Sequence, residues 1–204
     1  MIRNIVFDIG MVLTDFRYDA YMREDLGFPD EVVKVFTERL VESGIWDELD
    51  LGVRETEDII DDMKSRVPEY PKEAEVFFDR MIDIIRTYPY SKPWIQELKD
   101  RGYKVYLLSN YPRDAYKMHE KKHFDFASIV DGKVISGIER MSKPDPRIYR
   151  LLFERYALDP KECVFLDDRE KNIRAAIDEG MQGIVFTSYE DARKKLEEIL
   201  KASG

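Results

Sequence analysis

With a single cysteine in 204 residues, this chain can form neither an intramolecular disulfide nor a cysteine metal cluster. That residue, Cys163, stands in the apolar run Cys163-Val164-Phe165-Leu166, where a free thiol behaves as a small hydrophobe. Long apolar runs are missing as well. The stretch Ile5-Val6-Phe7 stops at Asp8, short of the about 7–15 apolar residues of a signal peptide. Nothing approaches the ~18 apolar residues of a membrane span. A soluble, cytoplasmic protein with no membrane partner is therefore expected. Positive charge is also in deficit, 33 basic against 42 acidic side chains, for a net −9. That balance argues against nucleic acid as a partner, because a phosphate-backbone binder needs a positive footprint. It leaves room for one small anionic substrate at a locally positive site. Internal repeats and low-complexity tracts are absent.

What is present suits a globular α/β protein. The apolar share, 44%, is near the average for folded domains, and the length fits one domain or one domain with an insertion. Short apolar runs rich in β-branched residues end abruptly in polar loops. The run Ile2 to Phe7 ends at Asp8-Ile9-Gly10, and Val105 to Leu108 ends at Ser109-Asn110. Val164 to Leu166 ends at Asp167-Asp168, and Gly183 to Phe186 forms a fourth run. Ala127 to Val130 is a weaker candidate. Helical stripes separate these runs: Trp94, Ile95 and Leu98; Ile148, Leu151 and Leu152; Ile173, Ala176 and Ile177; Ala192, Leu196, Ile199 and Leu200. Strands apolar throughout, alternating with helices, predict a Rossmann-like parallel sheet with helices on both faces. Residues 16–88 break the alternation with helical spacings only, such as Val33, Phe36 and Leu40, and show no evident strand. The expected organisation is a core of 1–15 and 89–204 with a helical cap at 16–88.

In doubly wound sheets, ligands bind beyond the carboxyl ends of the strands. The residues placed there are Asp8 and Gly10, Ser109 and Asn110, and Asp167 and Asp168. Lys143 lies in the loop Ser142-Lys143-Pro144-Asp145-Pro146. Converging carboxylates repel and raise one another's pKa, a conflict that a hard divalent ion such as Mg²⁺ resolves. Singly, each residue is an ordinary loop former; together, each at a strand end, they point to a site.

Four motifs in order carry a resemblance to the haloacid dehalogenase superfamily: Val6-Phe7-Asp8-Ile9-Gly10-Met11-Val12, Leu107-Leu108-Ser109-Asn110, Lys143-Pro144, and Phe165-Leu166-Asp167-Asp168 with Asn172-Ile173. The helical insert falls where a capped subclass carries its cap. Within the superfamily, the chain is most similar to sugar-phosphate phosphatases of the glucose-1-phosphate phosphatase type. The resemblance implies an Mg²⁺-dependent phosphatase of a small phosphorylated metabolite, such as a sugar phosphate, acting as a monomer or homodimer. Asp8 would be the nucleophile, a carboxylate that needs no base to activate it. The metal would bind Asp8, the Gly10 carbonyl and Asp168, with Asp167 as a further ligand or an anchor behind it. Ser109 and Asn110 would hold phosphate oxygens, and Lys143 would neutralise charge on Asp8 and the phosphoryl group.

The chain departs from the commoner family motif at Gly10, where a second aspartate acts as general acid and base. A carbonyl survives there, but the proton donor is lost. A good leaving group, another donor such as Asp15, or a weakened phosphate-binding or regulatory protein each remains compatible with Gly10. Among other features, Trp46 reads as an anchor between helices or a substrate-facing side chain. Tyr111 and Arg113, just after Ser109-Asn110, are further candidates for contact with substrate. His119 and His123 have the spacing of a zinc pair but stand in what reads as a solvated surface helix. Gly10→Asp separates the alternatives. A large gain with alkyl phosphates, on the scale of ~10²–10⁴-fold for general acid–base help, would mean that the missing acid limits turnover. No change would mean that another group already does that job.

Overall fold

The computed structural model describes residues 1–203; residue 204, the last of the expected core segment, lies outside the described residues. In chain order, the strand β1 (Asn4–Phe7) is followed by β2 (Thr14–Phe16) and by five helices. These are α1 (Tyr18–Ala20), α2 (Asp30–Phe36), α3 (Ile45–Leu51), α4 (Thr56–Ser65) and α5 (Pro71–Asp79). Then come β3 (Ile85–Thr87), α6 (Ser91–Asp100), β4 (Lys104–Ser109), α7 (Arg113–Lys122), β5 (Gly132–Ile135) and α8 (Ser136–Glu139). The chain closes with α9 (Pro146–Tyr156), β6 (Cys163–Asp167), α10 (Glu170–Asp178), β7 (Gln182–Val185) and α11 (Tyr189–Ala202).

Five strands form one parallel sheet in the order β5-β4-β1-β6-β7. Side chains alternate across it, so each strand feeds two cores. Ile5, Phe7, Val105, Leu107, Val164 and Leu166 face a core shared with α6, α11 and the helical insertion. Val6, Tyr106, Leu108, Phe165 and Cys163 face the other, built with α9 and α10. This is the doubly covered parallel sheet that the apolar runs predict. Cys163 is a buried, free thiol within it.

The strand reading needs two corrections. Ala127 to Val130 is not a strand. Phe124 and Phe126 are buried, and the amides of Ala127 and Ile129 bond back to Phe124 and Phe126 in consecutive turns. The strand comes later, as β5, whose Gly132 and Lys133 hide it from a search for apolar runs; it pairs on one side only. The helical segment also contains a strand. β3 pairs antiparallel with β2, from Thr14 opposite Thr87 to Phe16 opposite Ile85. Three residues are too few to register as a strand period. One helix-face expectation also fails, since Ile177 is exposed rather than packed.

Two glycines set how closely the insertion approaches the sheet. Gly52 ends α3 with φ +64°, and a Cβ there would meet the backbone of Gly137, 2.8 Å from its Cα. A Cβ on Gly137 would in turn lie 2.5 Å from the Arg113 amide nitrogen. Three backbones therefore stack where only glycine fits. The Ser136 hydroxyl adds a bond to the Asp50 carbonyl and accepts one from the Tyr111 amide at 2.8 Å. The Thr56 hydroxyl donates to Asp114 at 2.8 Å, and Arg113 pairs with Glu55 at 3.2 Å. Among the described residues, no helix is long and apolar enough to cross a membrane. Gly52→Ala meets both the left-handed backbone, worth about 1–2 kcal/mol, and the Gly137 contact. It is expected to lower the unfolding free energy by about 2 kcal/mol or more, read as a fall in the denaturant midpoint at unchanged slope.

Candidate active site

The sheet order places β1 and β6 side by side while their following connections leave in opposite directions. The crevice between their carboxyl ends is thus a topological switch point, where open α/β sheets bind ligands. Asp8 follows β1 directly, and its amide donates to the Leu166 carbonyl at 2.9 Å. The loop then folds back on itself. The amides of Leu13 and Thr14 and the Thr14 hydroxyl all donate to the Ile9 carbonyl, and the Met11 amide donates to Thr14. Asp167 closes β6 and Asp168 follows it. Oxygens of Asp8, Asp167 and Asp168 all lie within 4.8 Å of one another.

Lys143 reaches into this cluster from the loop before α9. Its ammonium is fully buried, 2.6 Å from Asp167 and 3.0 Å from Asp8, and it also donates to the Leu108 carbonyl at 2.9 Å. Asn110 fixes the loop that carries it. The Asn110 side-chain carbonyl accepts from the Lys143 amide at 2.8 Å, and its NH₂ donates to the Lys143 carbonyl at 3.0 Å. Burial opposes the charge on Lys143, but Asp167 and Asp8 outweigh it and hold the ammonium above its usual range.

One lysine cannot satisfy two buried carboxylates equally. Asp167 has further donors, the Arg169 amide at 2.8 Å and the Asn172 NH₂ at 3.0 Å. Burial would raise it, yet Lys143 and these bonds keep it below the usual carboxylate range. Asp8 is less well supplied. Burial pushes it up to about 7; Lys143 and the Ser109 hydroxyl pull against this, while Asp167 and Asp168 add to it. Burial and Asp167 also raise Asp168. The donor set is hard oxygen, over-rich in negative charge and short of a cation, and so it fits a hard divalent ion.

A cavity of about 150 Å³ opens from this cluster toward the insertion. Asp8, Gly10, Asn110, Lys143 and Asp168 line one part of it, and Trp46 and Tyr111 also line it. Trp46 lies within α3, not in a break between helices, and its ring packs on Phe16 at 5.5 Å. Ser109 is buried beside Asp8, behind the lining. Arg113 is not brought to the cavity; it caps the contact between α7 and the insertion through Glu55 and Asp114. Asp15 sits on β2 and does not line the cavity either.

Three titratable lining residues escape a reading of motifs. Arg169 follows the paired aspartates, so its position was a usable signal. Asp50, near the end of α3, gives no local sign, because only the docking of α3 brings it there. Burial pushes Asp50 up to about 7, with Asp47 and Asp8 adding to the rise and Arg169 and Lys143 opposing it. His119 corrects the surface-helix reading. It is buried, its Nδ1 accepts from the Tyr111 hydroxyl at 2.6 Å and its Nε2 donates to the Ile82 carbonyl at 3.1 Å. Burial and His123 push it down to about 4, which keeps the imidazole neutral.

A parallel sheet with an acid-and-lysine cluster at its switch point, overhung by a helical insertion, defines a class of hydrolase. The chain belongs to the haloacid dehalogenase-like hydrolase family, whose sequence profile matches residues 2–180. It is similar to a sesquiterpene phosphatase of Aspergillus oryzae, 25% identical over 89% of this chain and 88% of that one. It is also similar to a D-ribitol-5-phosphate phosphatase of Bacteroides thetaiotaomicron, 26% identical over 99% of this chain and 100% of that one. Among solved structures, a family enzyme of Bacteroides thetaiotaomicron in complex with magnesium and inorganic phosphate superposes with a TM-score of 0.74. It is 22% identical, covering 93% of this chain and 96% of that one.

Asp50 holds its proton to a higher pH in the folded chain than in the unfolded one. Its burial therefore leaves stability intact below the ordinary value of 3.8 and removes it as pH rises toward about 7. Asp50→Asn is expected to raise Tm at pH 8, by about 2–4 °C for each kcal/mol regained at this length. The gain should vanish near pH 4 in a thermal melt series.

Proposed function

We propose that this chain is a magnesium-dependent phosphatase of a small phosphorylated metabolite, working through a phosphoryl group carried transiently on Asp8. One observation carries the reading: Asp8 stands at the switch point within 3.0 Å of a buried lysine and beside two further carboxylates. Names of relatives over nearly the whole chain support the phosphatase class. Asp8, Asp168 and the Gly10 carbonyl would hold the metal, with Asp167 behind them as the anchor of Lys143. Magnesium supplies positive charge that lets carboxylates and an anionic substrate share one site.

The residues of the chain divide the remaining work. The Asp8 carboxylate attacks phosphorus and forms a P–O bond as the bond to the alcohol oxygen breaks. Lys143 neutralises charge between Asp8 and the phosphoryl oxygens, with Ser109 and Asn110 beside it. The Asp50 carboxyl gives its proton to the leaving oxygen, the role that Gly10 cannot fill. Water then attacks phosphorus and passes a proton to Asp50, which releases phosphate and restores Asp8. With Asp50 in this role, an unchanged rate is the expected result for Gly10→Asp, whose Cβ would meet nothing within 4 Å.

Residues 16–88 act as a cap over a core of 1–15 and 89–204, shielding the phosphoryl group from bulk water and selecting the organic part of the substrate. A sugar phosphate is what the sequence resemblance implies. The relatives' names, however, span a sugar alcohol phosphate and a sesquiterpene. Phosphate release from phosphomonoesters is expected with Mg²⁺, to be lost with a chelator, and to fall to background in Asp8→Asn. Turnover unaffected by that substitution would sink the mechanism. Ligand-dependent stabilisation without turnover in the unmodified chain would favour a binding protein instead.

A further inference from the structure

Beyond the phosphate end, the cavity wall is apolar. The loop after β1, β2 and α3 contribute Met11, Phe16 and Trp46, and the segment into β3 contributes Met81, Ile84 and Ile85. Pro112, Ala115 and Met118 continue the wall along the start of α7. Several polar side chains on the wall are already committed within the protein. The Thr14 hydroxyl donates to Ile9, the Tyr111 hydroxyl donates to His119, and the remaining His119 nitrogen donates to Ile82. Apart from the Trp46 indole N–H, the polar groups still open lie toward the phosphate end. Asn172 bonds Asp167 and has an Oδ1 with no partner, and Asp50 is close enough to feel Arg169, Asp8 and Lys143. Met11 and Met118 line the cavity and are each 44% exposed, leaving apolar side chains in solvent at its mouth.

We propose that this chamber takes the phosphate monoester of a short apolar alcohol (an alkyl, prenyl or benzyl chain) in preference to a polyol or sugar phosphate, an inference that rests on the phosphatase reading of the site. Beyond the phosphate end, a sugar would bury several hydroxyls against a wall on which, among the described residues, the Trp46 indole N–H is the one uncommitted polar side-chain group, and each hydroxyl left unpaired weakens binding. An alkyl chain needs no partner and gains roughly fourfold in affinity per buried methylene. The cavity is near 150 Å³ with its phosphate end included, which suits a short organic group rather than a long one. The unbranched thioether side chains at the mouth adapt to longer or irregular chains.

The test compares hexyl phosphate, a prenyl monophosphate and benzyl phosphate with sorbitol 6-phosphate and glucose 1-phosphate, all with Mg²⁺, by phosphate release. KM for the apolar esters is expected to be at least tenfold lower. Met118→Gln, at an exposed position that tolerates the change, should raise KM for hexyl phosphate about fourfold and leave KM for methyl phosphate nearly unmoved. Equal or better kinetics with the polyol phosphates would overturn the proposal while leaving the phosphatase reading intact. A separate calorimetric titration with hexylphosphonate and methylphosphonate reads the chamber without turnover. Binding at least tenfold tighter for the hexyl compound supports the proposal even if no ester is hydrolysed, in which case the phosphatase reading alone fails. Equal binding overturns the proposal whatever the turnover.

Discussion

The site depends on one buried ammonium that two carboxylates compete for. Lys143 is held closer to Asp167 than to Asp8, and Asp167 also receives donors from Arg169 and Asn172. That inequality decides the chemistry. Asp167 becomes a fixed counter-charge that aims the lysine, and Asp8 is left short of compensation. A buried carboxylate in that position is held ready to accept a cation or to share its charge with an electrophile. The hydrogen-bonded clamp between Asn110 and the Lys143 backbone is what lets a flexible four-carbon side chain hold a fixed place.

The second constraint is the close approach of α3 to the core. Backbones of Gly52, Gly137 and Arg113 stack without side chains between them, so α3 sits low enough for Trp46 and Asp50 to reach the same cavity as Asp8. A bulkier contact there would lift the helix and take its lining residues away from the phosphate end. The apolar face that the cavity presents follows from the same docking, since the core on that side of the sheet runs without a break into the insertion. The chamber is therefore continuous with the packing that holds the insertion down.

Much of the core was legible because parallel strands covered on both faces must be apolar throughout. The runs at Ile5, Val105, Val164 and Ile184 stand out for that reason. The edge strand β5 was not, because it is paired on one side and carries Gly132 and Lys133. β3 was missed because three residues show no period. Asp8, Asp167 and Asp168 could be placed at strand ends, and Lys143 in a loop before a helix, by counting along the chain. Asp50 and His119 could not, since each owes its surroundings to elements distant in sequence: Asp50 through Ser136 and Gly137, and His119 through Tyr111 and Ile82.

The sequence by itself determined the central strands of the parallel sheet, the order of its motifs and the place of the motif residues at strand ends and in the loop before α9. It could do so because hydrophobic periodicity and turn chemistry act over a few residues. The tertiary structure alone decided which carboxylate keeps the lysine, that Asp50 lines the same cavity as Asp8 and Gly10, and that Arg113 stays outside that cavity while Trp46 lines it. These outcomes turn on differences of a few tenths of an ångström and on the docking of one helix. Such quantities arise only when residues from opposite ends of the chain are packed against one another.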